Sequence, residues 1–357
     1  MSHATASTCS STAALLLSME AEAPAGRLRV VSEDQSAAPG LVQLYSAENM
    51  AAARRYAASL DAESGRRLET ILTRLESAYR WRALKPAVAP ANVLELKRAF
   101  PNFAEVIEDI ALHLVLARLP GADTASLALP PMLLVGPPGV GKSYFARHLC
   151  AALGASFRET SLAGNSAGFI IGGLDMGWSS GKPGVVFNTL LECEEANPFI
   201  LLDEIDKAGG VAQSDPLGAL YNLLEPDMAV RFRDEAVTLP VDASHIIWVA
   251  TANALAPIPE PLLSRLSVFH IPLPTGAESA AITRGIWRDL RGSTPWGRYF
   301  QPHLSDDVIG RLYGESPRVI IKLLTRAAGR AIMNKRQALA PEDVRHERAF
   351  RRGMGFA

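Results

Sequence analysis

Gly136-Pro137-Pro138-Gly139-Val140-Gly141-Lys142-Ser143 follows the apolar run Met132-Leu133-Leu134-Val135. The octet fits the pattern G-x-x-x-x-G-K-[ST], and its setting fits as well: a short buried strand, a glycine-rich turn, then a helix starting near Lys142. Glycines let the backbone curl with its N–H groups pointing at one anion. The helix N-terminus adds partial positive charge aimed at the same place. Lys142 can reach β- and γ-phosphates, and the Ser143 hydroxyl can hold Mg²⁺. The stretch therefore ties the chain to a nucleoside triphosphate, with residues 136–143 and the adjoining Tyr144 as the expected phosphate contact.

Outward from this octet the chain alternates apolar runs with helical patterns, as a parallel α/β core does. Candidate strands are Met132–Val135, Phe157–Thr160, Phe199–Leu202, Ile246–Ala250 and Val268–Ile271. Runs this apolar predict burial on both faces. Upstream, helical spacing runs from about 47 to 82 (Leu60, Leu68, Ile71, Leu72, Leu75, Tyr79). It resumes from about 103 to 119, where Val106, Ile107, Ile110, Leu114 and Leu116 supply an apolar face. Beyond Pro274 the pattern turns wholly helical, over 279–290, 305–313 and 317–334, with a fourth helix opened by Pro341. The expected organisation is a flexible tail over 1–40, a helical extension over 41–99, an α/β domain over 100–274 and a helical lid over 275–357.

Composition bounds the partners. The chain has 357 residues, 48% of them hydrophobic and 20% charged, with a formal net charge of −1. Near-neutral charge argues against bulk attraction to nucleic acid or acidic membrane. No apolar stretch approaches the roughly 18 residues of a membrane span. Ala13-Ala14-Leu15-Leu16-Leu17 lacks a basic flank and is too short for a leader, so a cytoplasmic location is expected. Cys9, Cys150 and Cys193 have no metal-like spacing, and Cys150, on the helix after the octet, reads as a buried inert thiol.

Four further features carry chemistry. Phe199-Ile200-Leu201-Leu202-Asp203-Glu204 is an apolar strand ending in two carboxylates, the first suited to Mg²⁺ and the second to polarising a water. Val249-Ala250-Thr251-Ala252-Asn253 ends another strand in a polar tip. That tip is expected between the strands that carry the octet and the acids, where Asn253 can bond the attacking water or a γ-phosphate; a turn-forming Asn is the plain alternative. Arg265, in Pro261-Leu262-Leu263-Ser264-Arg265, could project to a neighbouring copy's γ-phosphate, or be a surface Arg. Arg318, in Glu315-Ser316-Pro317-Arg318, could reach back to the nucleotide, or be a helix-start residue where a cation is mildly unfavourable.

In this order the series resembles an AAA+ ATPase, and in detail the ATPase module of the Lon protease family. Leu201–Lys207 is similar to that family's Walker B run. Asp215–Leu220 with Leu223-Leu224-Glu225 resembles the helix after it, Phe232-Arg233-Asp234 and Val241-Asp242 the approach to the sensor strand, and Ile258–Arg265 the arginine-finger segment. The likeness runs from about Phe100 to about Val344. It implies an AAA+ P-loop core with a parallel sheet and a small helical lid, binding ATP and Mg²⁺. In that scheme Lys142 and Ser143 hold phosphate and Mg²⁺, Asp203 serves Mg²⁺, Glu204 the water, Asn253 is sensor 1, Arg265 a trans-acting finger and Arg318 sensor 2. Asn102 and Phe103, with Val106, fall on the adenine side. Gly177-Trp178-Ser179-Ser180-Gly181-Lys182-Pro183-Gly184 lines up with the family's pore loop, with Trp178 as the aromatic and Ser179 where an aliphatic is usual. A Trp packed under a lid is the alternative.

The chain reaches Ala357 soon after the expected lid, where the family's peptidase domain would begin. The resemblance thus implies a homohexameric ATP-driven motor that threads or remodels protein, without peptidase activity of its own. A DNA-associated motor or loader, favoured only by Arg345, Arg348, Arg351 and Arg352, and a nucleotide-gated scaffold are the competing readings.

Overall fold

A computed structural model of the protein describes residues 40–78, 80–119, 125–163, 167–208 and 217–346. Cys9, Ala13–Leu17, Tyr79, Asp215, Pro216, Arg348, Arg351, Arg352 and the expected tail up to residue 39 lie outside the described residues. The strands are β1 (Leu41–Gln43), β2 (Trp81–Ala83), β3 (Met132–Val135), β4 (Phe157–Ser161), β5 (Phe199–Asp203), β6 (Phe232–Arg233), β7 (Pro240–Val241), β8 (Ile247–Ala252) and β9 (Ser267–His270). Two compact units emerge. One falls within 1–95, 105–137 and 142–271, the other within 96–104, 138–141 and 272–357.

The first unit is built on a five-stranded sheet in the order β4-β5-β8-β3-β9, parallel throughout. β3 and β8 are buried along their whole length and β5 up to Leu202, as the apolar runs predict. The outer strands differ, because each has a neighbour on one side only. β4 has no buried position: Phe157 and Ser161 are exposed and Arg158, Glu159 and Thr160 half-buried, and Glu159 takes a two-pronged pair from Arg147 at 2.8 and 2.7 Å.

The run expected to be helical over 47–82 divides into helices Ala47–Ser59 and Ala62–Ser77, followed by a strand. Asp61 makes the break. Its carboxylate accepts from the backbone N–H groups of Glu63 and Ser64 at 3.0 and 3.1 Å and starts the second helix. Gly65 then lets the two helices close up, since a Cβ there would come within 2.6 Å of the Ala57 carbonyl oxygen. Trp81–Ala83 is not helical; it pairs antiparallel with β1. Leu68, Leu72 and Leu75, at i, i+4 and i+7, bury completely into one cluster with Leu133, Ile200 and Trp248 from the sheet. In the helix Ala104–Ala117, Val106, Ile107, Ile110 and Leu114 are buried as expected. Leu116 corrects the expectation: it is 61% exposed, on the opposite side of the helix. Cys150 is buried and its thiol is pushed up to about 12, first by desolvation.

The second unit is helical. Its helix Gly276–Ser293 opens with a reciprocal cap, in which Thr275 Oγ1 accepts from Glu278 N at 3.4 Å and Glu278 accepts from Thr275 N at 2.7 Å. Asp306–Gly310 and Pro317–Met333 follow. The fourth helix expected at Pro341 is a single 3₁₀ turn, Pro341–Asp343. There Asp343 is buried and held by Arg336 through two 2.8 Å bonds, which fixes the chain in a turn instead of letting it propagate a helix. No helix among the described residues is long and apolar enough to cross a membrane.

Burial of Leu68 against the sheet makes a direct prediction. Leu68→Ala costs about 2–5 kcal/mol and lowers the urea midpoint of the unit that carries the sheet. An unchanged midpoint would show that the helix is peripheral.

Candidate active site

The sheet order sets the site. β8 lies between β3 and β5, with Val135 opposite Ala252 and Leu202 opposite Ala250, so the three strands end along one edge. Asn253 therefore emerges between the octet and the acids, where the sequence predicts it. Carboxyl ends of parallel strands are where open α/β sheets bind ligands.

Lys142 occupies the centre of this edge and is only 8% exposed. Its ammonium donates to the carbonyl oxygens of Gly136 (2.7 Å) and Pro137 (3.1 Å) and to Asn253 Oδ1 (3.0 Å). Burial pushes its pKa down, while Asp206, Asp203 and Glu204, in that order, pull it back up. A cation held by neutral acceptors and partly stripped of water suits a polyanion that can offer stronger acceptors. Gly136 must be glycine here, because a Cβ would come within 2.5 Å of the Ile271 carbonyl oxygen.

The acids are coupled through hydroxyls. Asp203 Oδ1 accepts from Ser143 Oγ and from Thr251 Oγ1, each at 2.6 Å, and Thr251 Oγ1 accepts from the Glu204 backbone N–H at 3.0 Å. Ser143 and Asp203 thus meet as a hydroxyl and a carboxylate, a hard oxygen pair of the kind Mg²⁺ takes. Glu204 sits in the left-handed region, φ +58, which turns its side chain out of the strand direction. Its carboxylate pairs with Lys207 at 2.5 Å. In the sequence Thr251 reads only as part of a strand. A polar residue in the middle of an otherwise apolar buried run, here 1% exposed, is the signal that could have marked it.

Within the second unit, the octet's tip, residues 138–141, lies against the start of the helix Pro317–Met333. A Cβ on Gly139 (φ +83) would come 2.9 Å from Ser316 Cβ, and one on Gly141 (φ +106) 3.3 Å from Pro317 Cγ. Arg318 is the next residue; it is exposed and makes no ion pair among the described residues. Asn102 is buried, with Nδ2 donating to the Pro272 carbonyl at 3.1 Å, while its Oδ1 is buried with no hydrogen-bond partner among the described residues. Phe103 is 1% exposed and meets Phe100 edge-on, so its ring belongs to the core and offers no open stacking face.

Arg265 and Trp178 lie on the first unit. Arg265 pairs with Glu225 at 2.9 Å and lies 6.0 Å over the Tyr221 ring, so its guanidinium is engaged within its own chain. Trp178 is 67% exposed, which removes the alternative of a Trp packed under a lid. It tips a loop whose base is cross-bonded between Leu174 and Lys182 (2.9 and 3.0 Å), and Arg67 donates to the Gly181 carbonyl from the helix Ala62–Ser77. Beneath the loop, Asp234 is fully buried and accepts from the N–H groups of Gly184 (2.7 Å) and Ala236 (2.9 Å). Gly173 (φ +85) leaves room for it, since a Cβ there would come 2.3 Å from Asp234 Oδ1.

With this geometry in view, residues 132–273 match the model of the ATPase family associated with various cellular activities (AAA). "Lon protease homolog 2, peroxisomal" of Spinacia oleracea is 40% identical over 153 residues, which are 43% of this chain and 17% of that protein. Lon protease of Halothermothrix orenii is 35% identical over 225 residues, 63% of this chain and 28% of that protein. The chain therefore spans well under a third of the length of these relatives. The fold is also that of the closed-state cryo-EM reconstruction of Hsp104 with ATPγS and FITC casein, at a TM-score of 0.55 and 15% identity over 69% of this chain and 48% of that one.

Asp234 yields a pH prediction. Burial outweighs its amide hydrogen bonds and raises its carboxyl from 3.8 to about 7 in the folded protein. The folded state thus keeps a proton that the unfolded chain releases. The associated stability is complete below the unfolded value and is lost as pH rises through the folded one. Asp234→Asn should flatten the fall in urea midpoint between about pH 4 and about pH 7. An unchanged slope in the variant would assign that pH dependence elsewhere.

Proposed function

From a chain that carries a Lon-like AAA+ ATPase module, we propose an ATP-hydrolysing motor that assembles as a homohexamer and remodels protein chains drawn through its ring. The observation that carries the reading is the triple-bonded ammonium of Lys142 at the junction of β3, β5 and β8. Phosphate oxygens exchange for the Gly136 and Pro137 carbonyls on Lys142, while the backbone of residues 136–141 and Tyr144 lines the cradle. Ser143 and Asp203 would hold Mg²⁺, which when bound would supply charge neutralisation on the transferred phosphoryl group. Their existing 2.6 Å bond supports that pairing.

Glu204 takes the proton of the attacking water. To do so it must give up Lys207, which in this state neutralises and occupies its carboxylate. Asn253 shares Lys142 and so stands beside the same γ-phosphate. Arg265 exchanges Glu225 for a neighbouring copy's nucleotide, where a guanidinium stabilises developing charge. Arg318, next to the pair Ser316-Pro317 that meets the octet's tip, reports the nucleotide to the helical unit. The unpartnered Asn102 Oδ1 suits the amino group of adenine. Trp178, on an exposed loop with a fixed base, presses against extended polypeptide in a sequence-tolerant way.

Two substitutions test this. Glu204→Gln retains MgATP binding while turnover falls by about 10²–10⁴-fold, the share of a positioned general base. Near-normal turnover removes Glu204 from that role. Trp178→Ala lowers the unfolding of a fluorescent substrate protein by about tenfold relative to ATP turnover, the scale of losing one aromatic anchor. Full-rate unfolding in that variant contradicts threading by this loop.

A further inference from the structure

The pairing of β5 with β8 ends at Leu202 and Ala250. Past that rung the backbone N–H groups of Asn253 and Ala254 have no strand to receive them. On the other side of β8, Gly136 N–H donates to the Ala252 carbonyl at 3.2 Å and ends the ladder with β3. Backbone amides drawn out of water need an acceptor. Asp206 supplies it: Oδ2 accepts from Asn253 N–H at 3.0 Å and from Ala254 N–H at 3.3 Å. The turn through Glu204, followed by the 3₁₀ turn Ile205–Lys207, carries Asp206 to that place while Ile205 goes into the core. The chain of bonds then runs on without a break, because the Asn253 amide so fixed places Oδ1 against the Lys142 ammonium.

The second carboxylate oxygen, Asp206 Oδ1, is buried and has no hydrogen-bond partner among the described residues. A plain surface cap would leave it in water. Native structures leave few such oxygens unpaired. Of the three carboxylates that act on Lys142, Asp206 acts most strongly, although burial outweighs all of them.

We infer that Asp206 is a positioning residue for ATP hydrolysis, holding the tip of β8 so that Asn253 meets Lys142 and the γ-phosphate together. The inference rests on the nucleotide reading above and adds to it a residue that acts through Asn253. Because it works by geometry and not by contact with ATP, its loss lowers kcat and spares affinity.

The test is steady-state ATPase kinetics on the full chain for Asp206→Ala, Asn253→Ala, their double variant and Asp206→Asn, with Glu204→Gln as the control for the nucleotide site. Asp206→Ala is expected to lower kcat by about ten- to a hundredfold, the scale of a misplaced group, with KM for ATP moving less than about threefold. The double variant should be no slower than the slower single, since both break one linkage. Asp206→Asn keeps an accepting oxygen and should stay within about threefold of the parent. Wild-type kcat in Asp206→Ala, multiplicative losses in the double, or an Asp206→Asn as slow as Asn253→Ala each overturn the inference. If Asp206→Ala does not fold, Asp206→Glu decides: its displaced carboxylate should cost kcat, and parental turnover refutes the proposal. A Glu204→Gln protein that hydrolyses ATP normally would instead strike at the nucleotide reading, independently of Asp206.

Discussion

A buried ammonium needs acceptors, and the edge of the sheet is arranged to provide them. Lys142 has lost most of its water and is held by two backbone carbonyls and one side-chain amide. Each acceptor comes from a different constraint. Gly136 can pack against the Ile271 carbonyl only because it has no Cβ, Pro137 follows it in the turn after β3, and Asn253 is brought near because β8 lies next to β3. Its direct acceptors are neutral, so compensation comes only at a distance, from Asp206, Asp203 and Glu204, which hydrogen-bond other groups. Asp203 is bonded by Ser143 and Thr251, Glu204 by Lys207, and Asp206 by the tip of β8.

The same logic relates the rest of the first unit to that edge. β3 and β8, buried throughout, and β5, buried up to Leu202, give the tips a rigid base, because side chains packed on both faces leave no room for slippage. The helix Ala62–Ser77 adds Leu68, Leu72 and Leu75 to the same core and sends Arg67 to the Trp178 loop. Core, loop base and strand tips therefore belong to one compact unit. Asp234 secures the other side of that loop from inside the protein.

Much of this was legible in the amino-acid order. Met132–Val135, Phe199–Leu202 and the run ending in Asn253 are short, apolar and bounded by turn residues, which suits strands buried on both faces. Their mutual order followed from the chemistry each tip carries. The structure departs where short-range pattern and tertiary pairing conflict. Trp81–Ala83 continues a helical-looking stretch, yet it pairs with β1, a partner some forty positions away in the chain and invisible to local periodicity. The two-residue strands β6 and β7 are too short to show any period. Pro341 signals the start of a helix, yet only a 3₁₀ turn forms there, closed by Arg336 and Asp343. Leu116 fits a helical stripe by spacing and still faces outward. Thr251, Lys207 and Asp206 were all visible as letters. Their roles depend on which backbone groups lose partners at the strand ends, and only the folded chain decides that.

The most direct measurement is a structure of the protein with Mg²⁺ and a non-hydrolysable ATP analogue. The account predicts Lys142 Nζ released from the Gly136 and Pro137 carbonyls and bonded to β- and γ-phosphate oxygens, with Ser143 and Asp203 on the metal side and Asn253 still beside Lys142. A triphosphate bound away from the β3, β5 and β8 tips, or a Lys142 still held by both carbonyls with the analogue in place, would contradict it.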